Sequence, residues 1–443
     1  MRALLNWLSE INAGAFVVLS IILLGLLLNG ANSGASAALL SLALLVVLLA
    51  TITFSRAGRL WRTLSANMVS VLAALLFLAL AINTAFVTPH SIAGPPLWAL
   101  VGDRGAPLSL SPYRSLEGVV ALFGPLAAFM LGALFARDRR TRDWAGRWAT
   151  AMAAAYCLAG LYLFYAVAGA PRLDVEVGSA NAAAALFGVL MVIAATMIIR
   201  GARGRLGEPR RPLGGYGRFV LSAPVSFAVL LALFACLLLT ASRGGLVATA
   251  VAFIILVSAL WAQSLKHDST RGVATLTPAA LVMIILAVLF ARGSEDVLAR
   301  FALAGEDWEV RRVLADTHYA LFLERPLLGH GLNTYHELNT LAATPDNWRM
   351  LASPGSAHNI FIQVLEETGL VGLGLWVMIL APILARALMR LVRGEGGVEW
   401  AAAALAISAL LLLHGVVDFA LQVPAIAAFY AFMLGSSVGA PQR

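Results

Sequence analysis

Arg243, Arg311 and His358 are the residues of this 443-residue sequence whose types and placement suit joint chemistry. Arg243 stands in Thr240-Ala-Ser-Arg-Gly-Gly-Leu246, a tight turn between two apolar runs whose glycines would let backbone approach a ligand closely. A guanidinium there is a planar fork matching the oxygens of an anionic headgroup or diphosphate, or, more plainly, a cation snorkelling to a membrane interface. Arg311 and Arg312 lie on a helical stretch, one turn from Asp307 and Asp316 respectively. Such (i, i+4) pairs explain them without a ligand, at a few tenths of a kcal/mol each. His358 follows a Pro-Gly-Ser turn and, with Asn359, precedes an apolar run. An imidazole titrating near pH 6.5 can take a proton from a hydroxyl at physiological pH, although capping or interfacial packing accounts for most such residues.

Further polar groups sit at the edges of apolar runs. His414 and Asp418 are one turn apart on one expected span, either as a functional pair or as a mutually hydrogen-bonded lock between helices. Ser179-Ala-Asn181 opens another span as a helix cap or as a polar contact to substrate. His318, His330 and His336 are as readily solvated as functional. No HExxH, cysteine cluster or DxD-like carboxylate pair is present in this part of the chain, so no metal site is expected.

The elements that must position these groups are membrane helices. The chain is 60% hydrophobic with a mean hydropathy of +0.86, far above soluble usage, so lipid is the solvent for most of it. Continuous apolar runs without period-two alternation predict helices rather than barrel strands. They fall near residues 13–28, 36–54, 68–87, 116–135, 148–170, 180–199, 219–240, 246–265, 273–291, 366–389, 399–418 and 422–439, twelve spans in one integral domain covering residues 1–443. Ala35-Ser36-Ala37 resembles a signal-peptidase site, but a second span starts at once, so the first run reads as a retained helix. Cys157 and Cys236 lie within apolar runs and read as small buried hydrophobes.

Charge position sets the orientation. Arg56, Arg59 and Arg62, then Arg137 to Arg147, Arg200 to Arg218, Lys266 with Arg271, and Arg386 to Arg393 all fall on one side, which the positive-inside rule makes cytoplasmic, together with both termini. The net charge of +8 is thereby explained by topology rather than by a nucleic-acid partner. The opposite short loops hold only Arg104, Arg114, Arg172 and Arg243. Segment 292–358, between the ninth and tenth spans, lies on that outer side. Within it Val310, Val313, Leu314, Thr317 and Leu321 predict an amphipathic helix with Asp307 as N-cap, ended by Pro326.

In combination these segments are more specific than their parts. Arg311, Arg325-Pro-Leu-Leu-Gly-His-Gly-Leu332 and His358-Asn-Ile-Phe-Ile-Gln-Val-Leu-Glu-Glu-Thr-Gly-Leu-Val-Gly372 together resemble the signature domain of the O-antigen ligase and polymerase superfamily. Ser242-Arg-Gly-Gly245 and His414-Gly-Val-Val-Asp-Phe419 are similar to its flanking motifs, so the resemblance covers roughly residues 240–420.

The resemblance implies a multi-helix fold related to the lipid-dependent membrane glycosyltransferases of the bacterial inner membrane. It implies a metal-independent, inverting transfer without a cofactor, taking a glycan from undecaprenyl diphosphate on the periplasmic face. The acceptor would be lipid A-core in a ligase, the preferred reading, or another lipid-linked repeat unit in a polymerase. By motif position His358 would activate the acceptor hydroxyl, and Arg243 and Arg311 would hold the donor diphosphate, with Arg312 competing with Arg311 for that role. Asn359, Asn181, His414 and Asp418 would support them. A transporter or lipid flippase is the reading from another class. Such folds carry internal repeats and midplane sites on broken helices, whereas no repeat relates the halves of this chain.

Overall fold

The computed structural model describes residues 12–55, 57–86, 108–136, 139–166, 172–175, 177–205, 223–267, 304–351 and 355–438. Among the described residues the regular elements are all helical. The first half supplies α1 (Ala13–Leu27), α2 (Gly34–Phe54), the short α3 (Ala57–Ala66), α4 (Met68–Phe86), α5 (Pro112–Phe135), α6 (Arg139–Ala166) and α7 (Ala180–Arg205). Then come α8 (Ala223–Leu239), α9 (Arg243–His267), α10 (Ala304–Glu324), the short α11 (Tyr335–Leu341) and α12 (Trp348–Leu351), α13 (Ile360–Arg393), α14 (Val398–Gly415) and α15 (Pro424–Val438). Eight of these, α2, α4, α5, α6, α7, α9, α13 and α14, are long and apolar enough to cross a membrane, and α1, α8 and α15 are shorter apolar helices. The span expected at 273–291 lies outside the described residues.

Burial follows the sequence at both extremes. In α7 small residues run through Asn181-Ala-Ala-Ala-Ala185, and positions 182–196 are buried without interruption, making this helix the central post against α6, α8, α9 and α14. On α2 the opposite holds, since Leu39, Leu42, Val46 and Leu49 form an exposed stripe suited to lipid. Where two helices must approach most closely, glycine takes the contact. A Cβ at Gly132 of α5 would overlap the Phe432 carbonyl of α15, and one at Gly435 would overlap the Phe129 carbonyl, so the pair packs backbone to backbone. Cys157 and Cys236 are buried and free, with their sulfurs 3.6 Å apart between α6 and α8.

Contacts among the described helices define two distinct ends. At one end Arg200 of α7 bridges Asp143 of α6 (2.5 Å) and Glu399 of α14 (2.8 Å), and Asn12 donates to the Thr141 carbonyl (2.9 Å). Gln263 of α9 reaches the Leu391 carbonyl of α13 there as well. At the other end Asn32 donates to the Val177 carbonyl (3.2 Å), and the turns before α7, α9 and α13 and after α14 come together with α10, α11 and α12. The described arginines Arg200, Arg386 and Arg390 therefore share one end and the candidate chemistry shares the other.

Two local expectations change. Asp307 lies within the first turn of α10 rather than ahead of it, because the helix begins at Ala304. The expected span at 366–389 begins earlier, at Ile360, and is interrupted at Gly369 by a non-helical residue (φ 67°, ψ −170°) that divides α13 into two helical stretches.

Candidate active site

The turn before α9 is built by its own side chains. Thr240 Oγ1 donates to the Leu237 carbonyl (2.6 Å), Ala241 takes a left-handed φ of 49°, and Ser242 Oγ accepts from the Gly245 N–H (3.2 Å). The two glycines after Arg243, expected to admit a ligand, instead admit neighbouring helices. A Cβ on Gly245 would lie 2.5 Å from Ala184 of α7, and one on Gly244 would lie 3.2 Å from Val417 and 3.6 Å from the His414 ring. Arg243 is thus presented half-buried, beside the end of α14, by a turn packed closely against α7 and α14.

Arg172, treated in the sequence only as one of the few outer arginines, is part of the same cluster. Its Nε donates to the Thr240 carbonyl (2.7 Å) and its Nη2 to Asn181 Oδ1 (2.9 Å), joining the segment before α7 to the turn before α9. Ser179, not Asn181, caps α7, accepting from the Asn181 and Ala182 N–H groups at 3.1 Å each. This frees the Asn181 side chain to face Asp418.

Helix α14 ends at Gly415, so Asp418 stands in the connection beyond it rather than one helical turn from His414. The expected His414–Asp418 lock does not close. Asp418 Oδ1 accepts the Phe419 N–H (2.6 Å), while Asp418 Oδ2 and His414 Nδ1 have no hydrogen-bond partner among the described residues. Burial pushes the Asp418 carboxyl up to about 6; the Phe419 N–H, the Arg311 charge, Asn181 and the Arg172 charge each draw it back. Arg311 and Arg172 thus both act on this carboxylate.

His358 meets Asp418 from the other side, with Nδ1 4.0 Å from Oδ1. Its backbone is left-handed (φ 49°), and its ring packs edge-on against Phe419 at 5.5 Å. Asn359 serves α13 rather than a ligand, its Oδ1 accepting the Phe361 (3.0 Å) and Ile362 (3.2 Å) N–H groups as an N-cap. The His358 side chain keeps 23% of its surface exposed, against 1% for Asp418. The imidazole can therefore meet an incoming group while the carboxylate stays behind it.

Arg311 and Arg312 separate by helix face. Leu314, His318 and Phe322 form the buried stripe of α10, and Arg311 belongs to that face. Arg312 and Asp316 are exposed on the other. Of these two arginines, Arg311 is the one whose charge is felt at Asp418.

The long signature motifs are largely a clasp. The Pro326-Leu-Leu-Gly-His-Gly331 segment pairs its backbone with the break in α13: His330 and Gly331 donate to the Glu366 (2.8 Å) and Glu367 (2.9 Å) carbonyls, while Leu370 and Val371 donate back to Pro326 (2.8 Å) and Leu327 (3.1 Å). Gly369 adopts a conformation closed to residues with a Cβ, and one on Gly329 would lie 2.5 Å from the Thr368 nitrogen. His330 and His318 are buried here, at 4% and 0% exposure, while His336 is exposed. His330 Nε2 bonds the Leu321 carbonyl (2.9 Å), and burial lowers its pKa. Burial likewise drives the His318 imidazole down to about 4, leaving it neutral at physiological pH.

Seven side chains from six segments thus gather at one end of the bundle: Arg172, Asn181, Arg243, Arg311, His358, His414 and Asp418. The cluster presents guanidiniums for an anion and a carboxylate-backed imidazole for a proton. Comparison with known proteins agrees in part: residues 227–377 match a family model described as O-antigen ligase, and no curated protein matches the chain.

Proposed function

We propose that this chain, a member of the O-antigen ligase superfamily through its 227–377 domain, transfers a glycan from undecaprenyl diphosphate to an acceptor hydroxyl at the periplasmic face of the bacterial inner membrane. The acceptor in this reading is lipid A-core. The observation that carries it is the 4.0 Å approach of His358 to buried Asp418, a carboxylate on which the Arg311 and Arg172 charges both act. With the arginine-rich connections cytoplasmic, the cluster faces outward, both termini lie inside, and twelve spans are completed by residues 273–291.

The transfer needs two things at once. As the acceptor oxygen bonds to the anomeric carbon on the face opposite the diphosphate, the bond from that carbon to the diphosphate oxygen breaks and negative charge grows on the leaving group. Arg243, Arg311 and Arg172 supply positive charge there, with planar donors suited to phosphate oxygens. The acceptor proton passes to His358, and Asp418 stabilises the resulting imidazolium through Nδ1. A carboxylate close to its ionisation point beside a partly exposed imidazole suits that role. The lipid tail of the donor stays in the bilayer while the acceptor arrives from solution, so the base belongs at the membrane edge, where His358 precedes α13.

The test is a gel assay of purified protein in lipid with undecaprenyl-diphosphate-linked glycan, with and without lipid A-core. Product that requires lipid A-core and forms about 10²–10⁴-fold more slowly in His358→Ala is expected. A ladder of longer glycans from donor alone would instead assign polymerase activity, and flux of the donor in sealed liposomes without bond formation would overturn the transferase reading.

A further inference from the structure

The proposed chemistry uses none of the most deeply buried polar groups of the outer segment. His318 of α10 and Glu366 of α13 are both fully buried, with Nδ1 2.5 Å from Oε2, so one proton must lie between them. Two other elements hold this pair. Tyr335 of α11 stacks on the imidazole at 4.6 Å, and Asn339 places Oδ1 3.3 Å from His318 Nε2 while its own amide donates to the Leu351 carbonyl of α12 (2.6 Å). The neighbouring Glu367 accepts the Asn333 N–H (2.8 Å) and the Gln363 amide (3.0 Å), and Gln363 Oε1 accepts the N–H of Ala357, the residue before His358.

The arrangement is a rung between two helices. His318 lies seven residues beyond Arg311 on the same face of α10, and Glu366 lies seven residues beyond Asn359, the cap of α13. At ~1.5 Å per residue, each end of the rung stands about 10 Å from the group it would control. We infer that the His318–Glu366 contact is a positioning tie that sets the separation of Arg311 from His358 for the transfer step. The inference rests on the transferase reading above.

An apolar pair of similar volume would fill the same space without leaving Glu366 Oε1 buried and without a hydrogen-bond partner among the described residues. What a hydrogen bond adds is a fixed length and direction, and side-chain position matters here because a displacement of about 1 Å can cost about 100-fold in rate.

The experiment uses full-length protein in lipid with undecaprenyl-diphosphate-linked glycan and lipid A-core, comparing wild type, Glu366→Gln, Glu366→Ala, the double replacement His318→Leu/Glu366→Leu, and the same double replacement in a His358→Ala background. The double Leu variant is expected to melt within a few degrees of wild type yet lose about 10-fold or more in kcat, with the donor KM nearly unchanged. Glu366→Gln, which keeps the hydrogen-bond partner, should retain most of the rate. In the His358→Ala background the residual rate should hardly respond, because the group to be positioned is gone. Wild-type turnover in a folded double Leu variant, or an equal loss in both backgrounds, overturns the tie. Should the double variant fail to fold, Glu366→Ala and Glu366→Gln decide: a rate at least about 10-fold lower in Ala supports the tie, and equal rates overturn it. Full activity in His358→Ala would instead overturn the assignment of His358, a separate failure.

Discussion

Gly369→Ala tests whether the signature motifs work as a clasp. Gly369 adopts φ 67° and ψ −170°, a region open to glycine alone, and an added Cβ would lie 2.5 Å from the Leu328 nitrogen, inside the Leu327–Leu328 peptide. Holding alanine in that conformation costs about 1–3 kcal/mol. Relief requires the 326–331 segment to move away, which gives up the bonds from Leu370 to Pro326 and from Val371 to Leu327, each worth about 0.5–1.5 kcal/mol. The total is about 2–6 kcal/mol, enough to detach α10 from α13 in a large fraction of molecules. Gly374, five residues along the same helix, is the internal control. A Cβ there meets nothing within 4 Å, so Gly374→Ala should gain about 0.5–1 kcal/mol from helix propensity. The assay is thermal unfolding of both variants in one lipid or detergent, followed by tryptophan fluorescence. Gly369→Ala should melt several degrees below wild type, and Gly374→Ala at or above it. A Gly369→Ala melt at the wild-type temperature, or a parallel fall in both, would refute the clasp.

Other outcomes follow from the cluster. His358→Ala should lower transfer about 10²–10⁴-fold with expression unchanged, read in the gel assay. Arg172→Ala should raise the donor KM and lower turnover, because it removes one guanidinium and the bridge between Thr240 and Asn181, while Arg312→Ala, on the exposed face, should stay within about twofold of wild type. The fold binds the Asp418 proton more tightly than the unfolded chain does, with an ionisation near 6 rather than 3.8, so its contribution to stability is present at low pH and lost as pH rises through about 6. Melting temperatures across that interval should show the slope in wild type and not in Asp418→Asn. Activity should run the other way, falling below about pH 6 as the carboxylate behind His358 is protonated, with Asp418→Asn slow at every pH.

Hydropathy located the helices because lipid leaves backbone polar groups no partners but each other, so an apolar run of sufficient length has one outcome. It could not show the break in α13, where Glu366-Glu-Thr-Gly369 sits within a continuous helical pattern and is opened only by backbone arriving from residues 326–331. The roles of Asn181 and Asn359 turned on local geometry: Ser179 took the cap of α7 and Asn359 that of α13, and only the first left an asparagine free for the cluster. Arg172 was legible in principle as one of four arginines on the short outer loops, where cations are scarce. Among these, Arg114 has a plainer explanation in Glu117 (3.0 Å) and Glu337 (3.4 Å). The burial of His318 was legible too, since it falls four residues after Leu314 and four before Phe322 on the stripe that α10 buries.

The two signature segments solve a mechanical problem that side chains alone would solve poorly. Arg311 lies in α10 and His358 just ahead of α13, two helices joined through 35 residues, 325–359, that double back through α11 and α12. If only that connection related them, every change in it would alter their separation. The four bonds between 326–331 and 366–371 are made by backbone groups, independent of side-chain identity, and they fix α10 against α13 before the connection is considered. Glycines at 329, 331 and 369, all with positive φ, let the strands of this clasp approach so closely. The stretch from 332 to 357 is then free to vary its exposed side chains, among them Leu341 and Trp348, without disturbing the arginine and the imidazole on either side of it. In the proposed transfer, acceptor choice can reside in that stretch while the chemistry stays with the clasped helices.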